Sequence, residues 1–505
     1  MEITPIRHIV IVGGGTAGWM TAAALSKVLD RSYSICLVES DDIGTIGVGE
    51  ATIPGITSFN SALGIDEDQF LRATQGTFKL GIEFVNWGGL GQKYFHGFGR
   101  IGQVADELPF HHYWLRMAQK GLASPLGAYS INTAAPQHAK FLRAQPNMAN
   151  SPLHDIAHAF HFDANLYAQF LRQFSEKLGV TRIQGKVAQV QQRATDGFIE
   201  AIVLEDGHIV DGDFFIDCSG MHGLLIEQTL KTGYEDWSQW LPCDRAIAVP
   251  CASVQPILPM TRSTAHTAGW QWRIPLQHRT GNGHVYSSRF MDQQAATDIL
   301  LTNLDGEQLA EPRHIQFKTG RRKQFWSHNC VVVGLSSGFM EPLESTSIAM
   351  IQSAVARIIN FFPHAGFEAA DIAEYNRLTL LEYELTRDFL VLHYKASTRS
   401  DSDFWNYCRT MEIPESLQRK MDLFASCGRI YPDKYDLFSD VSWLQVMVGQ
   451  GLQPRAYHPL ADLRSEAEVA AYLQNVEQVI AKCVKAMPTH AEYIAKHCAA
   501  APVAA

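Results

Sequence analysis

The sequence predicts an α/β fold built on a parallel sheet, on three observations close to its start. The run His8–Val12 is short, apolar and rich in β-branched residues, the pattern of a buried strand. Glycines follow at once, and the alanine-rich residues 20–29 have helical character. A second apolar run, Ser34–Glu39, reads as another buried strand and ends in an acid. Strand, helix, strand in that order implies parallel neighbours joined by a crossover.

Further along, residues 164–178 carry an amphipathic helical pattern, with Asp163 as N-cap and Gly179 as the stop. Alternating strands are expected over residues 186–210, with a hairpin signal at Asp206-Gly207. Phe214–Asp217 reads as a buried strand entering a turn at Gly220, and residues 330–333 as another that reaches Gly334. Helical sequence dominates from about Gln352 onward, and the tail 499–505 is expected to fray. There is no internal repeat and no linker rich enough in Pro, Gly or Ser to separate autonomous domains.

Composition excludes several classes of function. The 505 residues are 46% apolar, enough for a sizeable core. A net charge of −10 without a basic stripe argues against a nucleic-acid partner. No run approaches the roughly 18 apolar residues of a membrane span. The first residues, Met1 to His8, lack the pattern of a secretory signal. Nine cysteines without a CxxC pair or a Cys/His array point to reduced thiols in a cytoplasm and to no metal site.

Gly13-Gly14-Gly15-Thr16-Ala17-Gly18 matches GxGxxG directly between strand and helix. Such glycines allow a tight turn, close approach of backbone to a pyrophosphate and close helix packing, with the helix N-terminus favouring negative charge. Glu39 lies 21 residues beyond Gly18 at the end of the second strand, where a carboxylate accepts hydrogen bonds from the adenosine ribose. Two later glycine turns, 217–220 and 334–338, also follow apolar strands, as in FAD enzymes of the glutathione-reductase type. FAD is therefore expected rather than NAD. With one GxGxxG there is no second nucleotide domain, so reduced flavin has to come from a separate reductase.

Gly269–Pro275 contains WxWxIP. Read alone, two tryptophans at i and i+2 of a strand are an aromatic core pair, and a lone lysine is a solvated surface group. Other segments change that weighing: 47–54 (GVGEATIP), 76–80 with 84–87 (GTFKL, FVNW), and 339–346 (FMEPLEST), in that order. With WxWxIP, these make the chain resemble the flavin-dependent tryptophan halogenases from its first glycines to about residue 350. The resemblance implies a glutathione-reductase-type (Rossmann-like) FAD-binding core over 1–360, with β-rich substrate-side segments at about 90–150 and 225–320. A mainly helical C-terminal cap, 361–505, is expected to pack as one unit with that core.

It also implies a chemistry. Reduced FAD (FADH2), O2 and chloride or bromide yield hypohalous acid, which Lys79 receives by hydrogen bonding or as a haloamine. Glu344 orients Lys79, polarises the halogen donor, or takes the proton lost from the aromatic ring. Gly13, Gly15, Thr16, Ala17, Gly18, Glu39, Glu50, Ala51, Val187 and Ile348 are the expected flavin contacts, with 47–54 as the strap over it. Thr346 and Ser347 offer backbone N–H groups to halide near a helix start. The family usually has glycine where Ser347 stands, so relaxed or bromide-leaning halide use is expected. Trp270 and Trp272 wall off the substrate, and His96, Phe98 and Trp443 flank its ring.

Tryptophan-specific members hold the amino acid with a Tyr-Tyr-Glu cluster that is not found here; residues 442–451 and 454–459 stand in that region. Indole, a substituted indole or another electron-rich arene is therefore expected ahead of free tryptophan. The expected partners are that small aromatic substrate and the reductase, with a homodimer left open. A flavin monooxygenase and a flavin-binding protein without turnover share the cofactor half of this reading; neither needs Lys79 and Glu344.

Overall fold

Strand His8–Val12 lies inside a six-stranded sheet whose order is Trp326–Ser327, Cys330–Val332, Phe214–Asp217, His8–Val12, Ser34–Glu39, Thr181–Gln184. All pairings are parallel except that of Trp326–Ser327. Ile9 to Val12 are almost without exposed surface, the unbroken apolar pattern of a strand covered on both faces. The computed structural model describes residues 5–42 and 49–502. Gly47 and Val48 of the expected strap, and residues 503–505 of the tail, lie outside the described residues. Within the expected frayed end, Ala500 donates its backbone N–H to Gln277 Oε1 at 2.8 Å.

The chain divides into two compact units. The first comprises residues 1–75, 162–238 and 317–383, and holds the six-stranded sheet. Helix Thr16–Val28 begins four positions before the expected start, because Gly18 serves helix packing rather than a turn. A Cβ on Gly18 would lie 1.9 Å from the carbonyl oxygen of Gly13. Small buried residues Ala22, Ala23 and Ala24 let this helix pack against helices Ala164–Lys177 and Ser347–Asn360. Asp163 caps Ala164–Lys177 as expected, accepting from the N–H groups of Asn165 and Leu166 at 3.0 and 3.2 Å. The hairpin at Asp206-Gly207 joins Ile199–Leu204 to Ile209–Asp211, with Gly207 at φ +87°.

The second unit comprises residues 76–161, 239–316 and 384–505. Its seven-stranded sheet runs Arg313–Gln316, Arg245–Ala252, Arg279–Tyr286, Gly269–Pro275, Thr261–His266, Gly81–Val85, Lys93–Gly97. Segment 225–320 is β-rich as expected, but 90–150 is not. It carries one strand of the sheet, Lys93–Gly97, and the helices Phe110–Ala118 and Ile131–Gln137. The run Phe110 to Met117 mixes aromatic and apolar residues with His111, His112 and Arg116, has no β-branched residue, and is buried as a helix. These helices and Leu126–Tyr129 pack on helix Glu466–Ala486. The expected boundary at 360 coincides with the end of helix Ser347–Asn360, whereas the two units part within helix Ala369–Lys395.

Three fully buried histidines of the second unit set a pH dependence. Burial pushes His284 and His490 down to about 4. It also holds His161 well below its ordinary value, with the charge of Lys79 adding to the effect. The unfolded chain takes up these protons below about pH 6.5 and the native one does not, so stability is lost as pH falls from about 6.5 toward 4. At about pH 5 His284 and His490 each contribute about 2 kcal/mol to that loss. Burial pushes Glu50 up to about 7, an opposite contribution that offsets part of the fall. The thermal midpoint is expected to drop between about pH 6.5 and about pH 5; a flat or rising profile there would show that these rings are protonated in the native state.

Candidate active site

In the first unit the glycine turn at Gly13–Gly18 brings backbone close to backbone. Gly13, at φ +115°, approaches Cys218 so closely that a Cβ would stand 2.2 Å from the Cys218 carbonyl oxygen. Gly15 differs: a Cβ there would meet nothing within 4 Å. It precedes helix Thr16–Val28, which has no side-chain cap and no acid in its first turn. The surface is thus an open cradle at a helix N-terminus, with N–H groups available to an anion. Glu39 ends its strand as expected. Its Oε1 is held by Arg182 Nε at 2.5 Å, and Trp19 Nε1 reaches its Oε2 at 3.4 Å.

The two later glycine turns are joined through one carboxylate. Asp217 Oδ1 accepts from the N–H and hydroxyl of Ser219 at 2.9 and 2.6 Å, and from the Ser336 hydroxyl at 3.0 Å. Its Oδ2 accepts from the N–H groups of Leu225 and Ile226 at 2.8 and 3.0 Å. A buried acid so fully hydrogen-bonded costs the fold little. Glu50 and Ala51 lie on the short strand Gly49–Ala51, and Val187 opens strand Val187–Gln192.

Glu344 is buried at the end of the turn Pro342–Glu344. Ser345 follows in the left-handed region at φ +60°, a conformation that costs a non-glycine residue about 1–2 kcal/mol. Thr346 then precedes helix Ser347–Asn360, whose start also lacks a side-chain cap and an acid in its first turn. Thr346 and Ile348 are buried and Ser347 is half-buried. The uncapped start suits a halide ion.

Lys79 belongs to the second unit and has no exposed surface. It ends the strand Thr77–Lys79, which pairs antiparallel with Ala159–His161. Its Nζ lies 5.3 Å from the centre of the Phe98 ring. The same unit also holds a series of aromatic contacts. His96 lies 5.8 Å from Phe389 and 6.3 Å from Phe438; those two stack at 3.8 Å, and Trp443 meets Phe389 edge-on at 4.9 Å. Gln445 fixes this register, since its side-chain amide accepts from the N–H of Gly97 and donates to the Gly97 carbonyl, both at 2.9 Å. Beside Trp443, Lys420 Nζ stands 4.3 Å from the ring centre and 2.8 Å from Asp436, which also accepts from Trp443 Nε1 at 3.1 Å.

Trp270 and Trp272 project from one strand with rings 6.1 Å apart. Trp270 belongs to an aromatic core with Trp87, and Trp272 covers Gly283, where a Cβ would sit 2.0 Å from the indole.

A family profile described as tryptophan halogenase matches residues 8–466. Tryptophan 7-halogenase RebH of Lentzea aerocolonigenes is 34% identical over 90% of this chain and 91% of its own. Two solved structures are similar throughout. Xcc4156, a flavin-dependent halogenase from Xanthomonas campestris, is 47% identical with a TM-score of 0.96, over 99% of this chain and 100% of that one. BrvH, a flavin-dependent halogenase from Brevundimonas sp. BAL3, is 45% identical with a TM-score of 0.94, over 97% and 99%.

The chain belongs to the tryptophan halogenase family. It is a flavin-dependent halogenase, an enzyme that works with flavin and halide on an aromatic substrate. The flavin cradle fits such a cofactor in chemistry as well as space, because open glycine and uncapped N–H groups are what a pyrophosphate needs. The sequence did not reveal Phe389, Phe438, Arg182 or His161 as neighbours of these sites. None sits in a motif, and each meets its partner across a long stretch of chain.

Gly15 and Gly18 are expected to respond differently to substitution. Gly18→Val drives a side chain into backbone and should prevent folding. Gly15→Val should fold with a thermal midpoint near that of the parent while weakening FAD binding by about tenfold or more, about 1.4 kcal/mol. A flavin fluorescence titration measures this, and unchanged affinity in Gly15→Val would rule out pyrophosphate at that glycine.

Proposed function

We propose that this halogenase installs bromine or chlorine on indole or another electron-rich arene, with Lys79 delivering the oxidised halogen. The observation that carries this reading is a fully buried lysine whose ammonium faces an aromatic ring, that of Phe98. FADH2 from a separate reductase, together with O2, supplies the oxidation that turns halide into hypohalous acid. In this reading Gly13, Gly15, Thr16, Ala17 and Gly18 hold the pyrophosphate, Glu39 the ribose, and Glu50, Ala51, Val187 and Ile348 the rest of the flavin. Backbone N–H groups of Thr346 and Ser347 hold the halide.

Lys79 keeps hypohalous acid oriented toward the ring by hydrogen bonding. As the ring carbon bonds the halogen, the oxygen–halogen bond breaks with its electrons to oxygen. The hydroxide takes a proton from Lys79 and leaves as water, and Glu344 takes the proton lost from the ring carbon. His96, Phe98 and Trp443 hold the arene by stacking, while Trp270 and Trp272 close the region against flavin-derived oxygenation. The absence of a Tyr-Tyr-Glu cluster favours a substrate without a zwitterion. So does Asp436, whose carboxylate is already engaged by Lys420 and Trp443. Thiols without a disulfide among the described residues suit a reducing cytoplasm.

Incubation with FAD, a reductase, NADH, O2 and each halide, with catalase present, should yield halogenated indole in larger amount than halogenated tryptophan. Lys79→Ala should lower product by about a hundredfold or more while flavin is still oxidised. Hydroxylated product formed without halide would replace this reading with a monooxygenase. In competition at equal halide concentration the enzyme should give at least as much brominated as chlorinated product. Ser347→Gly should then raise the chlorinated share by about threefold, under 1 kcal/mol of selectivity; an unchanged ratio would remove Ser347 from halide choice.

A further inference from the structure

The strand that presents Lys79 is only three residues long and is held by two buried imidazoles. The first is His161, directly across from Thr77 in the pairing with Ala159–His161. The Thr77 hydroxyl lies 2.7 Å from the carbonyl oxygen of Pro275, which can only accept, so its proton points there. The same hydroxyl lies 2.9 Å from His161 Nδ1 and must accept from it. His161 therefore carries its proton on Nδ1. Its Nε2 stands 2.9 Å from the hydroxyl of Thr261. With burial and the Lys79 charge keeping the ring uncharged, that hydroxyl donates to Nε2.

His490 serves the neighbouring residue. Its Nδ1 lies 3.0 Å from the Ile257 carbonyl and so carries the proton, leaving Nε2 to accept the N–H of Phe78 at 3.2 Å. The two rings do different work. His490 satisfies a backbone donor at the edge of the strand, whereas His161 reads the side chain of Thr77, which shares a strand face with Lys79. The chain Thr261, His161, Thr77, Pro275 thus ties that face to the two strands of the large sheet on which Thr261 and Pro275 lie.

We propose that His161 is a positioning residue for Lys79: clamped between Thr77 and Thr261, it fixes the face of the strand from which the ammonium reaches the Phe98 ring. The inference rests on the delivery role proposed for Lys79. Its consequence is specific, because a displaced Lys79 would leave oxidation of flavin and halide intact and lose only the transfer to substrate.

The test measures halogenated indole per flavin oxidised in the complete system, with a diffusible trap for hypohalous acid and with thermal midpoints recorded. His161→Ala and Thr77→Val are expected to lower product per flavin by about tenfold, with flavin oxidation within about twofold of the parent and the missing oxidant recovered in the trap. His161→Asn keeps an N–H for Thr77, and Thr77→Ser keeps the hydroxyl; both should recover about half or more of the parent yield. If His161→Ala does not fold, the nearly isosteric pair Thr77→Val and Thr77→Ser decides alone. The proposal is overturned if the yield stays within about twofold in Thr77→Val, if Thr77→Ser falls as far as Thr77→Val, or if flavin oxidation declines in step with product. If the parent enzyme and Lys79→Ala give the same yield, the delivery role itself fails and takes this inference with it.

Discussion

A lysine without exposed surface is the constraint on which the second unit depends. An ammonium taken out of water is costly unless polar or aromatic partners receive it, and the delivery role proposed for this long, flexible side chain needs a fixed root. Both demands fall on three residues of strand. The fold meets them by pairing that strand with Ala159–His161 and by assigning fixed tautomers to two buried histidines. Burial keeps both rings uncharged, and at His161 the charge of Lys79 adds to the effect, so no second cation competes for the same low-dielectric space.

The first unit solves a different problem, that of bringing backbone close to an anion. Side chains are absent where chain must meet chain, at Gly13 and Gly18, and absent again at Gly15, where the chain meets open space. Asp217 then locks the two later turns with five hydrogen bonds. Strain at Ser345 stands just before a second uncapped helix start. A dinucleotide and a halide are both anions, and in this reading the unit meets both with helix N-termini rather than with cationic side chains.

In the proposed reading, the rings of His96, Phe389, Phe438 and Trp443 make burial and specificity the same feature. Rings recognise a ring by contact area and quadrupole, with little regard for what else the substrate carries. Two charged groups that meet Trp443, Lys420 and Asp436, satisfy each other. In the proposed reading such recognition admits many electron-rich arenes, and selectivity among them passes to whatever positions the reacting carbon near Lys79.

The cofactor half was legible in the sequence because its determinants are local. A glycine turn, the helix after it and an acid ending the next strand all lie within one short stretch, and backbone sterics alone give the pattern meaning. Lys79, Glu344 and WxWxIP were legible as motifs through resemblance, without their surroundings. The helical character of 90–150 was missed because a run of aromatic residues such as 110–117 fits either a buried strand or a buried helix. What only the tertiary structure decided is which groups meet: His161 with Thr77, Phe389 with Phe438, Arg182 with Glu39. The members of these pairs lie 84, 49 and 143 residues apart in the chain. Contacts at such separations follow from sheet register and helix packing, which the whole chain sets at once and no single segment encodes.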